Sequence, residues 1–104
     1  MEVSPQQVKA KLDAGDPFTL LDCRNDDERA FCVIEPSLHI PMPQTPERLD
    51  DIPRGQPVIV YCHHGVRSLQ VAGFLKQQGI EDVQSMSGGI DAWSLAIDPS
   101  LPRY

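Results

Sequence analysis

Val58-Ile59-Val60-Tyr61 is an unbroken run of β-branched and aromatic residues with no polar position inside it. Such residues favour pleated backbone. A strand with one face in water alternates apolar and polar side chains; a run without alternation needs cover on both faces. This run therefore reads as a central strand, paired on either side and sandwiched between helices.

The flanking sequence supplies those neighbours. Ser4-Pro5-Gln6-Gln7 carries the signature of a helix start: Ser4 caps, Pro5 suits the first helical position and Gln7 completes a capping box. Val8 and Leu12 follow at helical spacing, and Gly15 ends the helix. Residues 18–23 read as a buried strand behind the turn at Gly15-Asp16-Pro17, and residues 25–32 as a short helix with acids in its first turn. Residues 37–41 form a weaker strand, stopped by Pro41. Thr45-Pro46 repeats the cap-then-proline helix start, and Arg54-Gly55-Gln56-Pro57 is a turn.

After Tyr61, residues 62–68 read as a loop leading to a helix that begins near Arg67-Ser68. That helix carries Leu69, Val71, Ala72, Phe74 and Leu75 to the core and ends at Gly79. Residues 80–86 read as a further strand, Gly88-Gly89 as a turn and residues 90–95 as a last short helix. The proline-punctuated tail, residues 98–104, is expected to be extended. Alternating strands and helices imply an α/β fold with parallel pairing and right-handed crossovers.

The 104 residues suit one compact domain spanning 1–104, and no repeat or linker interrupts them. A net charge of −6 argues against nucleic acid and anionic membranes as partners. No apolar run approaches the roughly 20 residues that span a bilayer, and the N-terminus lacks a signal-peptide pattern, so a cytoplasmic location is expected. The three cysteines, Cys23, Cys32 and Cys62, show no CxxC spacing; an odd count in a reducing compartment reads as free thiols.

Chemistry concentrates in Cys62-His63-His64-Gly65-Val66-Arg67-Ser68. The thiol sits at the carboxyl end of the central strand, where open α/β sheets bind ligands. Gly65 allows the loop to curl, so that the amides of residues 63–67 form an anion nest around the sulfur. The following helix N-terminus and Arg67 add positive potential. All three favour thiolate over thiol, and the same cradle would hold a persulfide anion.

These residues resemble the active-site loop of rhodanese domains. The resemblance runs along nearly the whole chain. Leu21-Asp22-Cys23-Arg24 with Glu28 resembles the family's Asp-Val-Arg signature and downstream acid. His39-Ile40-Pro41-Met42 resembles its Asn-Ile-Pro-Leu stretch, and Ser87-Gly88-Gly89-Ile90-Asp91-Ala92-Trp93 its closing Gly-Gly-x-x-x-Trp motif. The resemblance implies a rhodanese-like open parallel sheet of about five strands, flanked by helices on both faces. It implies a sulfurtransferase in which Cys62 takes a sulfane sulfur from a small-molecule donor such as thiosulfate. A thiol, cyanide or protein acceptor then removes it. Residues His63, His64, Gly65, Val66, Arg67 and Ser68 would line the substrate site, with no cofactor. The position after the nucleophile is often arginine in thiosulfate-using members and is His63 here. Cys23 stands where valine is usual.

Two other functions fit the fold. Cysteine phosphatases use a Cys-x5-Arg loop; the spacing from Cys62 to Arg67 is Cys-x4-Arg, and Ser68 occupies the phosphatase arginine's place. A non-catalytic binding module commonly lacks the cysteine that Cys62 supplies. His63 and His64 are expected to line the pocket mouth and titrate there, with no metal, because no second ligand pair is visible. Cys23 and Cys32 read as packing residues rather than resolving thiols. Asp22 and Arg24 are expected to pair internally, with Glu28 joining them; Trp93 anchors the last helix and His39 is structural. Ser68 either touches the sulfur anion or caps the helix.

Overall fold

The structure, a computed structural model, describes residues 1–104. Five parallel strands form one sheet in the order β1-β5-β4-β2-β3, where β1 is Glu2–Val3, β2 Thr19–Asp22, β3 Leu38–His39, β4 Val58–Tyr61 and β5 Val83–Met86. The run that demanded two-sided cover is β4, at the centre with every residue buried. Its partners are β2, with Leu21 opposite Val60, and β5, with Val60 opposite Ser85.

Side chains alternating across β4 and β2 feed two separate cores. Leu21, Val58 and Val60 pack with Val71, Ala72 and Leu75 of helix α3 (Val66–Gln77). Leu20, Ile59 and Tyr61 pack on the other face with Val8 of α1 (Pro5–Ala14) and with Ile90 and Trp93 of α4 (Gly89–Ala96). Helices thus cover both faces. Helix α2 (Asp26–Phe31) leaves β2 toward the second face, whereas α3 leaves β4 toward the first. The connections diverge at the carboxyl ends of β2 and β4, which is where open α/β sheets bind ligands. No helix is long and apolar enough to cross a membrane.

Local signals explain most of the elements. The Ser4 hydroxyl accepts from the Gln7 amide at 3.1 Å, the Gln7 side chain accepts from the Ser4 amide at 2.9 Å, and Gly15 closes α1. One element has no counterpart in the expectations, and three expectations need correction. A two-residue strand β1 exists because the Ser85 and Ser87 amides on the edge of β5 donate to the Met1 and Val3 carbonyls. Thr45 does not cap a helix; it is buried within a 3-10 helix, Met42–Glu47, that begins after Pro41. Leu69 does not reach the core: α3 turns Ser68, Val71, Ala72 and Leu75 inward and leaves Leu69 40% exposed. The tail does not extend away but folds back over the sheet's carboxyl edge, as described below.

Candidate active site

Cys62 follows β4 directly, and α3 starts at Val66, so the loop is three residues long. Gly65 turns it with φ of +106°, and an added Cβ there would lie 3.2 Å from the Gly88 amide nitrogen. On the far side, the first turn of α4 holds the loop's carbonyls: Ile90 N donates to Cys62 O at 2.9 Å and Asp91 N to His63 O at 3.1 Å. Those bonds satisfy otherwise unpartnered helix amides. They also turn the loop's peptide groups so that its own N–H groups face inward. Gly89 makes the approach possible, because a Cβ there would collide with the backbone of Cys62 and His63.

The inward amides converge on sulfur. Cys62 Sγ accepts from Gly65 N at 3.1 Å and from Ser68 N at 3.3 Å. Ser68 Oγ lies 3.4 Å from Sγ and 2.7 Å from Ser85 Oγ. With Ser85 donating to Ser68, the Ser68 proton is free for the thiolate. The Cys23 thiol beside Cys62, with the Ser68 hydroxyl and the Ser68 and Gly65 amides, brings the Cys62 pKa down to about 4 against the opposing pull of burial. The residue is only 1% exposed. The sulfur is thus enclosed, but the amides around it point at it.

The expected site residues play unequal parts. Gly65 and Ser68 supply the amides, and Ser68 acts on the sulfur while sitting in the first turn of α3. Val66 turns its side chain to solvent, 69% exposed, and of the amides expected from residues 63–67 only that of Gly65 bonds the sulfur, joined by that of Ser68. Arg67 is not a free cation at the loop. Its guanidinium grips Glu28 through two bonds of 2.7 and 2.9 Å, while its charge still interacts with Cys62 at longer range. Glu28 therefore does not close the Asp22–Arg24 pair with its carboxylate. Arg67, then Tyr104 and the Asn25 amide, hold Glu28 down at about 2 against burial.

Asp22 and Arg24 do pair, completely buried, through bonds of 2.9 Å from Nε to Oδ1 and 2.9 Å from Nη2 to Oδ2. Tyr61 donates to the same carboxylate at 3.1 Å and Arg29 at 3.2 Å. This cluster braces the end of β2 beside the loop.

His63 and His64 stand at the entrance, their ring centroids 3.8 Å apart. Tyr104 stacks on the other face of His63 at 3.8 Å, donates to Glu28 at 2.6 Å and accepts from Arg24 at 3.2 Å. Arg103 grips Asp91 at 2.8 Å. The tail thus packs over the mouth, and residues 102–104 lie against His63, Ile90 and Asp91 with no room for a water molecule between them. His63, His64 and Asp91 put potential metal-ligand atoms within 4.8 Å of one another, although Asp91 already serves Arg103. Ser85, Asp91 and Tyr104 were missed by sequence reasoning; only the Gly-Gly motif, which begins α4, gave any signal for one of them.

The comparisons with known proteins agree with this fold. The family "Rhodanese-like domain" matches residues 4–96. A sulfurtransferase of Allochromatium vinosum is 34% identical over 93 residues, covering 89% of this chain and 87% of the relative. The thiosulfate sulfurtransferase GlpE of Actinobacillus pleuropneumoniae is 35% identical over 103 residues, covering 99% of this chain and 94% of the relative. A rhodanese-like domain protein from Staphylococcus aureus superposes with a TM-score of 0.85 at 30% identity, covering 99% of this chain and 97% of that one. The chain belongs to the rhodanese-like domain family and, at the level of that family, is a sulfurtransferase.

Proposed function

We propose that Cys62 carries a sulfane sulfur as a persulfide, taken from a donor such as thiosulfate and passed to a thiophilic acceptor. The single observation behind this is the convergence of the Gly65 and Ser68 amides on Cys62 Sγ. A thiolate held near pKa 4 is a nucleophile at neutral pH. It attacks the outer sulfur of thiosulfate, the S–S bond breaks and sulfite leaves with its electron pair. The persulfide anion then rests on amides already aimed at negative charge. Cyanide or a thiolate attacks the outer sulfur and restores the Cys62 thiolate.

Phosphate chemistry fits less well, because Arg67 is bound bidentately by Glu28 and offers no free clamp. His63 lies under Tyr104, so an anionic donor meets an aromatic stack rather than a guanidinium, and entry requires the tail to part.

Intact-protein mass spectrometry after incubation with thiosulfate tests the carrier role. The expected product is a one-sulfur adduct on Cys62 that cyanide or a reductant removes and that Cys62→Ser cannot form. An adduct on another residue, or sulfur transfer retained in Cys62→Ser, would overturn it.

A further inference from the structure

Cys23 and Cys62 lie side by side. β2 and β4 are parallel, and their register ends with Asp22 opposite Tyr61. The ladder continues one step further, with Cys23 N donating to Tyr61 O at 3.1 Å, which sets Cys23 opposite Cys62. Neighbouring strands stand about 4.8 Å apart. That falls inside the Cα separation of about 4.4–6.8 Å that a disulfide spans. Both side chains enter the same core, on the α3 face. Cys32 belongs to the opposite core, across the sheet, beside Arg24.

We propose that Cys23 is the resolving thiol of Cys62: after a small hydroperoxide oxidises Cys62, Cys23 captures it as a reversible disulfide.

The chemistry is local. The Cys62 thiolate attacks the proximal oxygen of the hydroperoxide, the O–O bond breaks, and an alkoxide or hydroxide leaves and takes a proton from water. Cys62 is now a sulfenic acid, oxidised by two electrons. Cys23 sulfur attacks Cys62 sulfur, the S–O bond breaks, and the Cys23 proton leaves with the oxygen as water. A dithiol reductant reverses the bond by two exchange steps, ending as its own disulfide with both cysteines reduced. The two thiols are suited to these unequal parts. The cradled thiolate is the oxidisable one, and the interaction of its own S–H with Cys62, then burial, push the Cys23 thiol up, so it keeps its proton until the capture step. Without Cys23, the sulfenic acid would have no thiol partner on its side of the sheet and would pass to sulfinic acid.

The test is peroxide titration of the full chain, read by intact mass and by non-reducing peptide mapping. The reduced protein should lose two hydrogens and yield one cross-linked peptide pair joining Cys23 to Cys62. Dithiothreitol should reverse it. Cys32→Ser should behave as the parent does. Cys23→Ser and the apolar Cys23→Val should instead gain two oxygens on Cys62, irreversibly; the second variant guards against a folding defect in the first. Because the readout is mass, the outcome is independent of whether sulfur transfer occurs. Direct sulfinic acid formation in the parent at the rate seen in Cys23→Val would overturn the proposal. So would a disulfide from Cys62 to Cys32 or to a second copy.

Discussion

β2 and β4 are neighbours, each is followed at once by a cysteine, and each leads into a helix; yet the two exits treat their thiols in opposite ways. After β4, three residues curl back so that two amides meet Cys62 Sγ. After β2, the polar groups are spent on one another: Arg24 N and Nε both bond Asp22 Oδ1, and Asn25 N bonds Glu28. No amide reaches Cys23. One thiol is stabilised as an anion and its neighbour is kept protonated. A strand end and a cysteine are therefore not enough for activation; Cys62 is held as an anion by the neighbouring Cys23 thiol, the Ser68 hydroxyl and the inward turn of the next peptide groups, and Cys23 has no such loop of its own.

The largest effect should come from unseating the β4 exit. Gly89→Ala puts a methyl group into the backbone of Cys62 and His63, which cannot yield as a flexible side chain could. Displacing the loop by an ångström should cost about 100-fold or more in sulfur transfer. Far-UV circular dichroism should stay unchanged, and parental turnover in this variant would contradict the role given to α4.

The β2 exit should answer to stability instead. Asp22→Asn strands the buried Arg24 charge, and urea unfolding should show a loss of about 3–5 kcal/mol. A loss below about 1 kcal/mol would show that the cluster is not the brace described here.

A smaller effect links the two exits. Cys23→Val removes the thiol that contributes most to holding Cys62 as an anion, so the Cys62 alkylation midpoint should rise from about 4 while remaining below that of a free thiol. An unchanged midpoint would assign the effect to the loop amides alone.

The smallest concerns the tail. Tyr104→Phe keeps the ring on His63 but loses the bonds to Glu28 and Arg24, and should cost about 1 kcal/mol or less. Glu28 supplies the pH dependence. Its folded pKa of about 2 lies below the ordinary carboxylate value, so its contribution is present above pH ~4.3 and is lost as pH falls toward 2. Fluorescence detection of tail release should follow that window.

How far the residues alone led follows the range of the interactions involved. β4, the capping box at Ser4 and Gln7, and the thiol ahead of Gly65 were legible because neighbours in sequence determine them. β1 was not, because two residues carry no period and the strand exists only where β5 presents an open edge. The exposure of Leu69 follows from helical phase: the buried stripe is Ser68, Val71, Ala72 and Leu75, and Leu69 lies about 100° away from it. Arg67 looked like a free charge because its partner, Glu28, lies 39 positions away. Tyr104 meets Glu28 across 76 positions, and nothing in a proline-rich tail announces where it will dock.

The pH dependence of Cys62 alkylation, followed at peptide level in the native chain, reaches the centre of this description. The Cys62 rate should hold its plateau from neutral pH down to about 5 and fall through a midpoint near 4. A midpoint at or above about 8.5, the value of an ordinary thiol, would mean that the loop does not activate its cysteine.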